Sequence, residues 1–572
     1  MKMSGKKMMS RGVINGWLLV LACSFALGLW SCGDSGPEVG ADEQIATMGA
    51  GISMLSAGAL PADELLVPLG RTLFFDDNLS VPPGQSCADC HDPAAGFTGP
   101  DSAINAAGAV IPGAIHNRAG NRKPPSAAYA GDSPLFTYDA EKRAWTGGMF
   151  WDGRATGWPL GDPLAEQAMG PFLNPLEMNM PNARTVCLKV AHSAYAGLFE
   201  AVWGPGTMKE SYVNRNVELT YERIARSIAA YERSEEVNPF SSKFDSFWDN
   251  AILADKDITT ISFSTAGSGS GATATATVAG GRIIAVTVTN GGSGYSAAPL
   301  ISFGGGGGGM GGGGGMGSGA GAITTLTDGA VTAITVTDPG SGYGRNVLVN
   351  ITAQAPISWQ AFRGLGLTDQ ELQGLAAFND SNRGDCSRCH TLGSSMESRP
   401  LFTDFSYWNI GVPKNPDNPF YTMQEKYNPA GAEWVDYGLG GYLMSVGKDY
   451  EPELGKFKTP TLRNVDQRSD LEFVKAYGHN GFFKSLEEVI LFYTWRAHMA
   501  AMGGGGCMGG GGGMGGGGGM GPDPDLFPPP EVSQNLEPLN FTMMGAGQQA
   551  VMMDQANILA FLKTLSDGYA VP

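Results

Sequence analysis

The sequence predicts a mainly α chain: two helical domains, a small β-rich module inserted between them, and glycine-rich loops. Three observations carry that reading. The first is a twinned motif, Ser86-Cys87-Ala88-Asp89-Cys90-His91 and, far downstream, Asp385-Cys386-Ser387-Arg388-Cys389-His390. The second is helical spacing of apolar residues with capping signals, seen after Pro61 and again after Ser485. The third is a stretch between the motifs, Asp257 to Ala355, that turns rich in Thr, Val, Ile and Gly with period-2 alternation. A chain of 572 residues is too long for one small core, so two or three domains are expected.

In chain order, Lys2, Lys6, Lys7 and Arg11 precede an apolar run from Trp17 to Trp30 that is short for a mature membrane span. It ends in Leu29-Trp30-Ser31-Cys32-Gly33, which looks like a bacterial lipobox with Cys32 as the lipidated residue. Residues 1–32 therefore read as a lipoprotein-type signal and 33–60 as a tether, placing the protein in the periplasm or cell envelope. Ordinary cleavage to a soluble periplasmic protein is the alternative. No other segment is long and apolar enough to cross a bilayer.

Residues 61–256 make the first helical domain, opening at Pro61-Ala62-Asp63-Glu64-Leu65-Leu66, where an acidic first turn precedes helical spacing. Residues 257–355 are the β-rich insert. It repeats itself, Ile284 to Tyr295 matching Thr332 to Tyr343, each copy a strand running into a Gly-rich turn. Residues 356–572 make the second helical domain. Two tracts, Gly304 to Gly315 around Met310 and Gly503 to Gly521 with Met508, Met514 and Met520, read as loops, because they cannot bury enough surface to order themselves. Regular Met spacing also suits a soft metal such as Cu(I), and the linker reading is preferred.

Cys-x-x-Cys-His is the attachment signature of c-type haem. Two thiols two residues apart can add to the two vinyl groups on one porphyrin edge, and the adjacent imidazole reaches the iron. A lone Cys-x-x-Cys is equally a zinc half-site or a redox pair. Neither explains a histidine after the second Cys in both copies of an exported chain. Two covalently bound haem c groups follow, held by Cys87, Cys90 and His91 and by Cys386, Cys389 and His390. Of the other cysteines, Cys23 lies in the signal, and Cys187 and Cys507 could pair in an oxidising compartment. The net charge of −18 argues against nucleic acid or an anionic membrane surface as partner, and suits a basic donor protein. Membrane contact is expected only through the lipid anchor.

Further motifs fall around the twin pair. They are Phe150-Trp151-Asp152-Gly153-Arg154, Asn174-Pro175-Leu176-Glu177-Met178-Asn179, Phe457-Lys458-Thr459-Pro460-Thr461-Leu462-Arg463-Asn464 and His479-Asn480-Gly481. With these the chain resembles the bacterial di-haem cytochrome c peroxidase family, which includes MauG-type enzymes. The resemblance covers about residues 60–255 and 356–568 and implies two cytochrome-c-like haem domains. It implies that the N-terminal haem reacts with peroxide and the C-terminal haem passes electrons to it, with His91 and His390 as proximal ligands. By the same resemblance Glu177 is the acid/base on the peroxide side, Gln167 holds peroxide or water, and Trp151 relays electrons between the haems. Considered alone, Glu177 would read as a surface charge and Trp151 as a core aromatic. Arg154 is expected to meet a haem propionate or Asp152.

Some family members place a histidine after the first motif that caps the resting peroxidatic iron. His116 stands where that residue would, and a solvated loop histidine is the alternative. The family also implies a calcium between the domains. The asparagine that helps bind it is not evident here, and Tyr129 stands near its place. On the second haem, Ser485-Leu486-Glu487-Glu488 reads as a capping box opening a helix, and Leu486, Val489, Ile490 and Tyr493 share one face of it. Tyr493 falls where classical peroxidases have a ligating Met and MauG-type enzymes a ligating Tyr. A phenolate there would lower the potential relative to Met. The alternative keeps Tyr493 in the core and gives the iron His498, Met499 or Met502.

The expected function is a di-haem peroxidase that reduces hydrogen peroxide to water with electrons from a small redox protein such as cytochrome c. The alternatives are a MauG-like oxidase acting on a protein or organic substrate, and a non-catalytic electron-transfer lipoprotein.

Overall fold

A computed structural model describes residues 62–570, except 141–142, 264–268, 296–297, 306–316, 345–346, 353–356, 394, 502–522, 524, 540 and 542–547. The signal, the tether, most of both glycine tracts, Cys507 and Met502 lie outside the described residues. Helices share the chain with several small antiparallel sheets.

The main helices are α1 (Ala62–Phe74), α2 (Pro163–Leu173), α3 (Ala183–Ala191), α4 (Ala196–Trp203), α5 (Val217–Glu232), α6 (Lys243–Leu253), α7 (Asp369–Asn379), α8 (Leu486–Ala501) and α9 (Gln548–Lys563). Asp63 and Glu64 occupy the first turn of α1, where they complement the helix dipole. The apolar stripe Leu69, Leu73, Phe74 then packs on Ile224, Ile228 and Tyr231 of α5. The two helices touch at Gly70, where an added Cβ would lie 1.8 Å from the carbonyl oxygen of Ser227. Glycine is required for that approach.

The second half repeats the device. Leu372, Leu375 and Phe378 of α7 pack on Ile558, Phe561 and Leu562 of α9, and a Cβ on Gly374 would lie 1.9 Å from the carbonyl oxygen of Asn557. Each glycine-mediated crossing lies shortly before a Cys-x-x-Cys-His motif, so each motif emerges from a rigid helix pair.

Helix α6 precedes the insert in sequence but buries Phe244, Phe247, Trp248 and Ala251 in the second core, against Phe362, Phe402 and Phe561. It opens with a complete capping box between Ser242 and Asp245. The Asp245 carboxylate also binds Arg463 at 2.8 Å, a pair with side-chain exposures of 2% and 0%. Ile258 and Ile261 continue into this core. There β3 (Ile261–Ser262) runs parallel to β10 (Ile357–Ser358), so the chain leaves and re-enters the helical body at adjacent points.

Between those points lie β4 (Ser270–Ala279), β5 (Arg282–Ser293), β6 (Leu300–Gly305), β7 (Ser318–Thr327), β8 (Ala330–Ser341) and β9 (Val347–Thr352). The four-stranded sheet has the order β5-β4-β9-β6, and β7 pairs with β8. The sequence repeat becomes a structural one: hairpins β4–β5 and β7–β8 carry bulges at matching positions, Thr273/Ala274 and Gly321/Ala322. The copies also interlock, since Tyr295 N donates to Gly329 O and Tyr343 N to Gly281 O, both at 2.9 Å. Tyr295, Val331 and Ile334 form the small shared core. Two further pairs, β1 (Thr137–Asp139) with β2 (Ala144–Thr146) and β11 (Tyr407–Trp408) with β12 (Phe457–Lys458), sit close to the site.

Candidate active site

The first motif is pinned to the end of α1. The carbonyl of Phe74 accepts from the amides of Cys87 and Ala88 at 3.1 and 3.3 Å, and the amide of His91 donates to Cys87 O at 2.9 Å. The Asp89 carboxylate accepts from the amide and hydroxyl of Ser86, each at 2.6 Å. His91 Nδ1 lies 3.1 Å from Phe97 O, which assigns the proton to Nδ1 and leaves the Nε2 lone pair for a metal. Burial lowers the His91 pKa to about 4, so the ring is neutral and able to ligate.

The second motif has the same construction: His390 N donates to Cys386 O at 2.9 Å, and His390 Nδ1 is 2.9 Å from Phe402 O. Segment 457–464 fixes that carbonyl from both sides. Thr403 Oγ1 donates to Thr459 O at 2.7 Å, Thr461 Oγ1 to Leu401 O at 2.7 Å, and Arg463 Nε to Pro400 O at 2.8 Å.

Each motif faces its own cavity. The first is lined by Cys87, Cys90, His91, Gln167 and Glu177, the second by Cys386, Cys389, His390 and Tyr493. Both are walled mainly by apolar side chains such as Val110, Ile228, Ile490 and Leu562. Among the described residues no group of three or more His, Cys, Asp or Glu is gathered to hold a metal ion. The thiol pairs are therefore not laid out as zinc half-sites. Paired thiols and a neutral imidazole on the rim of an apolar cavity fit haem c in both halves.

Glu177 sits in a loop that explains its own sequence. Asn174 caps α2 and accepts from Leu176 N at 3.0 Å, and Asn179 adopts φ 54, a conformation asparagine tolerates. The carbonyl of Glu177 accepts from Ala114 N at 2.8 Å. The side chain keeps access to the cavity but is enclosed by protein, and burial raises its pKa against the opposing pull of Arg154 and Asn174. Gln167 projects from α2, whose N-cap Asp162 accepts from Leu164 N at 3.0 Å and pairs with Arg233 at 2.8 Å. Of the two partners expected for Arg154, the structure contains Asp152, at 2.9 Å.

Trp151 lines both cavities. Its indole Nε1 donates to Lys123 O at 2.9 Å, and its carbonyl accepts from Lys458 N at 2.9 Å. Beneath it Arg122 bridges Asp152 at 2.6 Å and Asp436 at 2.7 Å, joining the two halves of the chain. Burial opposes the charge on Asp152, and Arg122 with Arg154 holds its pKa below the usual range.

The expected face of α8 is the face that meets the second cavity: Leu486, Val489, Ile490 and Tyr493 all line it. Burial raises the Tyr493 pKa, with the neighbouring Cys389 and Cys386 adding to the shift. Met499 packs instead with Val412, Phe483 and Trp495, and neither it nor His498 lines the cavity. The cap of α8 differs from the expected box. Glu488 N donates to Ser485 Oγ at 3.1 Å, but the Glu488 carboxylate reaches back to Lys484 N, one residue before the cap.

His116 stands apart, exposed in its loop and outside the first cavity, as a solvated histidine would be. The Tyr129 hydroxyl donates to Asp567 at 2.8 Å and accepts from Phe240 N at 2.9 Å, so it ties the first half of the chain to the segment after α9. Cys187 is buried and free.

Sequence reasoning missed three groups. Glu232, at the end of α5, lines the first cavity with 5% exposure, and burial raises its pKa to about 8. Lys123, 7% exposed, and the half-buried Lys458 flank Trp151, and desolvation lowers each to about 7. Lys458 lies inside the Phe457-to-Asn464 motif and Lys123 follows Arg122 ahead of Pro124-Pro125, and the lack of any acid beside either in sequence was the only available signal.

A family model described as di-haem cytochrome c peroxidase matches residues 64–251. Methylamine utilization protein MauG of Paracoccus denitrificans is 28% identical over 438 residues, covering 76% of each chain. Cytochrome-c peroxidase IdrP1 of Denitromonas iodatirespirans is 27% identical over 157 residues, 26% of this chain and 38% of that protein. The crystal structure of the diheme peroxidase BthA from Burkholderia thailandensis matches 89% of this chain and 88% of its own, with TM-score 0.53 and 23% identity, a likeness of fold.

Proposed function

The chain belongs to the di-haem cytochrome c peroxidase and MauG family, whose members are haem peroxidase-type oxidoreductases, and from that premise we propose that it reduces hydrogen peroxide to water. The electrons come from a small redox protein such as cytochrome c. The observation that carries the proposal is the inequality of the two cavities: Glu177 and Gln167 line only the first, Tyr493 only the second, and Trp151 both.

Bound haem c supplies an iron that takes up peroxide at the first site and stores electrons at the second. The protein's contribution is positional and protonic. Breaking the O–O bond requires a proton to move from the inner to the outer oxygen, and the Glu177 carboxyl is the group in that cavity suited to carry it. Its raised pKa keeps the acid form populated at higher pH than an exposed glutamate. The Gln167 amide offers both donor and acceptor to orient peroxide. Trp151, fixed by bonds at both its indole and its carbonyl, provides the bridge between the cavities. Cys32 attaches the protein to the cell envelope, and the two haem-bearing halves precede and follow the insert in sequence, the second also taking in α6.

A MauG-like oxidase of a protein or organic substrate is the second reading, favoured by Tyr493 on the second cavity. Steady-state assay of the holoprotein with peroxide and reduced cytochrome c separates the two. Sustained donor oxidation supports the peroxidase. A lasting spectral change on peroxide addition without donor turnover favours the oxidase, and no reaction with peroxide overturns both.

A further inference from the structure

The junction between the cavities holds four cationic groups, and they differ in what already satisfies them. Arg122 is charge-balanced by Asp152 and Asp436, which take three of its five N–H groups. Lys475 spends all three hydrogens on the carbonyls of Ala95, Asn464 and Gln467, at 2.9, 2.7 and 2.9 Å. Lys123 and Lys458 are different. Lys123 Nζ donates to Thr98 Oγ1 at 2.7 Å and Pro124 O at 2.9 Å, and Lys458 Nζ to Ser133 Oγ and Gly148 O, with the Met149 thioether a weak third acceptor at 3.7 Å. An ammonium has three hydrogens, so Lys123 keeps one to give, and the third of Lys458 meets only a thioether, a weak acceptor that an anion displaces. Neither has a carboxylate partner among the described residues, and burial alone accounts for the behaviour of both. A buried ammonium without an anion is costly, and proteins ordinarily pair it.

Both lysines line the second cavity, and Lys123 lines the first as well. Both are bonded to Trp151 through the main chain, Lys123 at its carbonyl and Lys458 at its amide. They therefore flank the residue shared by the two cavities.

We propose that Lys123 and Lys458 are an anion-binding pair that receives carboxylates of the haem propionates on either side of Trp151. The inference rests on the di-haem reading and deepens it. Each haem c brings two carboxylates into a mainly apolar enclosure, and the free N–H of Lys123 and the weakly bonded one of Lys458 complement them in charge and hydrogen bonding. The pairing neutralises propionate charge that would otherwise stabilise ferric iron. The two lysines thereby raise the potential of the haem they contact while anchoring the ring against the Trp151 bridge.

The test uses holoprotein carrying Lys123→Gln, Lys458→Gln, or Arg at either position. Haem content is read by pyridine haemochrome, midpoint potentials by spectroelectrochemistry, and the propionate bending modes by resonance Raman. The expected result is two haems retained, a lower potential for at least one of them, a shifted propionate band with Gln, and recovery with Arg. Two haems with unmoved potentials and bands in both Gln variants would overturn the pairing, because a merely structural lysine would alter stability only. If a Gln variant fails to take up haem, wild-type holoprotein decides the matter. Its redox difference infrared spectrum, with carboxyl-labelled haem, should show propionate bands that respond to lysine isotope labelling. Bands of free, solvated carboxylates would overturn the proposal. Wild-type protein with fewer than two haems would overturn the di-haem reading itself, an outcome visible in the haem count alone.

Discussion

Glu177→Gln isolates proton handling from everything else the loop does. Glutamine matches glutamate in shape and retains an oxygen towards Asn174, whose side chain opposes the rise in the carboxyl's pKa. The loop is held by other contacts: Asn174 to Leu176 N, Asn179 Nδ2 to Val81 O at 2.8 Å, and Ala114 N to the Glu177 carbonyl. No contact ion pair is lost, because the influence of Arg154 acts through space while its guanidinium binds Asp152. Fold stability should therefore move by less than about 1 kcal/mol. Catalysis should suffer far more. A positioned acid/base contributes roughly 10²–10⁴-fold, equal to about 3–5 kcal/mol of barrier. The assay is steady-state peroxide reduction with reduced cytochrome c, normalised to haem content. Two haems with turnover down by about two to four orders of magnitude is the expected outcome. Two haems with unchanged turnover would refute the role, and lost haem would show that the carboxyl is structural.

Two further substitutions and one segment replacement probe the surroundings. Trp151→Phe keeps an aromatic ring but loses the bond to Lys123 O, so electron transfer between haems should slow with both haems attached; an unaltered rate in a flash or stopped-flow measurement removes Trp151 from the path. Glu232 has a folded pKa of about 8 against an ordinary 4.5, so its contribution to stability is fully present below the unfolded pKa and lost as pH rises through the folded one. The slope between those limits is about 1.4 kcal/mol per pH unit, and Glu232→Gln should flatten it in urea titrations at pH 5 and 8; parallel profiles would contradict the buried-acid assignment. Because β3 and β10 are paired neighbours, replacing 264–356 by a short Gly/Ser linker should leave both haem spectra intact. Loss of either haem would make the β-module part of the site's support.

Some features were legible because local chemistry determines them. The motifs, the Leu486-to-Tyr493 face and the repeated strands follow from spacing and have the expected elements in the structure, whereas the Gly-rich segments read as turns, 290–293 and 338–341, continue strands β5 and β8. Other features depend on distant parts of the chain. Helix α6 joins the second core because its stripe of Phe244, Phe247 and Trp248 finds Phe362 and Phe561, a preference no spacing within α6 could announce. The Glu488 side chain chooses Lys484 N over Ser485 N, a difference of one residue that the capping pattern does not resolve. Glu232, Lys123 and Lys458 look like surface charges in sequence. They are buried because the fold closes around two cavities. His116 had a family precedent on one side and simple solvation on the other, and the loop places it in solvent.

The central claim is that two Cys-x-x-Cys-His motifs serve unequal sites: Glu177 and Gln167 face the haem that His91 would hold, and Tyr493, which we propose as a ligand, faces the one that His390 would hold. EPR and resonance Raman of the ferric holoprotein, compared with Tyr493→Met, test it most directly. The account predicts one peroxide-reactive iron whose signal is untouched by the substitution. It also predicts one six-coordinate iron whose phenolate signature disappears and whose potential rises in the Met variant. Two indistinguishable six-coordinate irons, or a spectrum unchanged by Tyr493→Met, would contradict it.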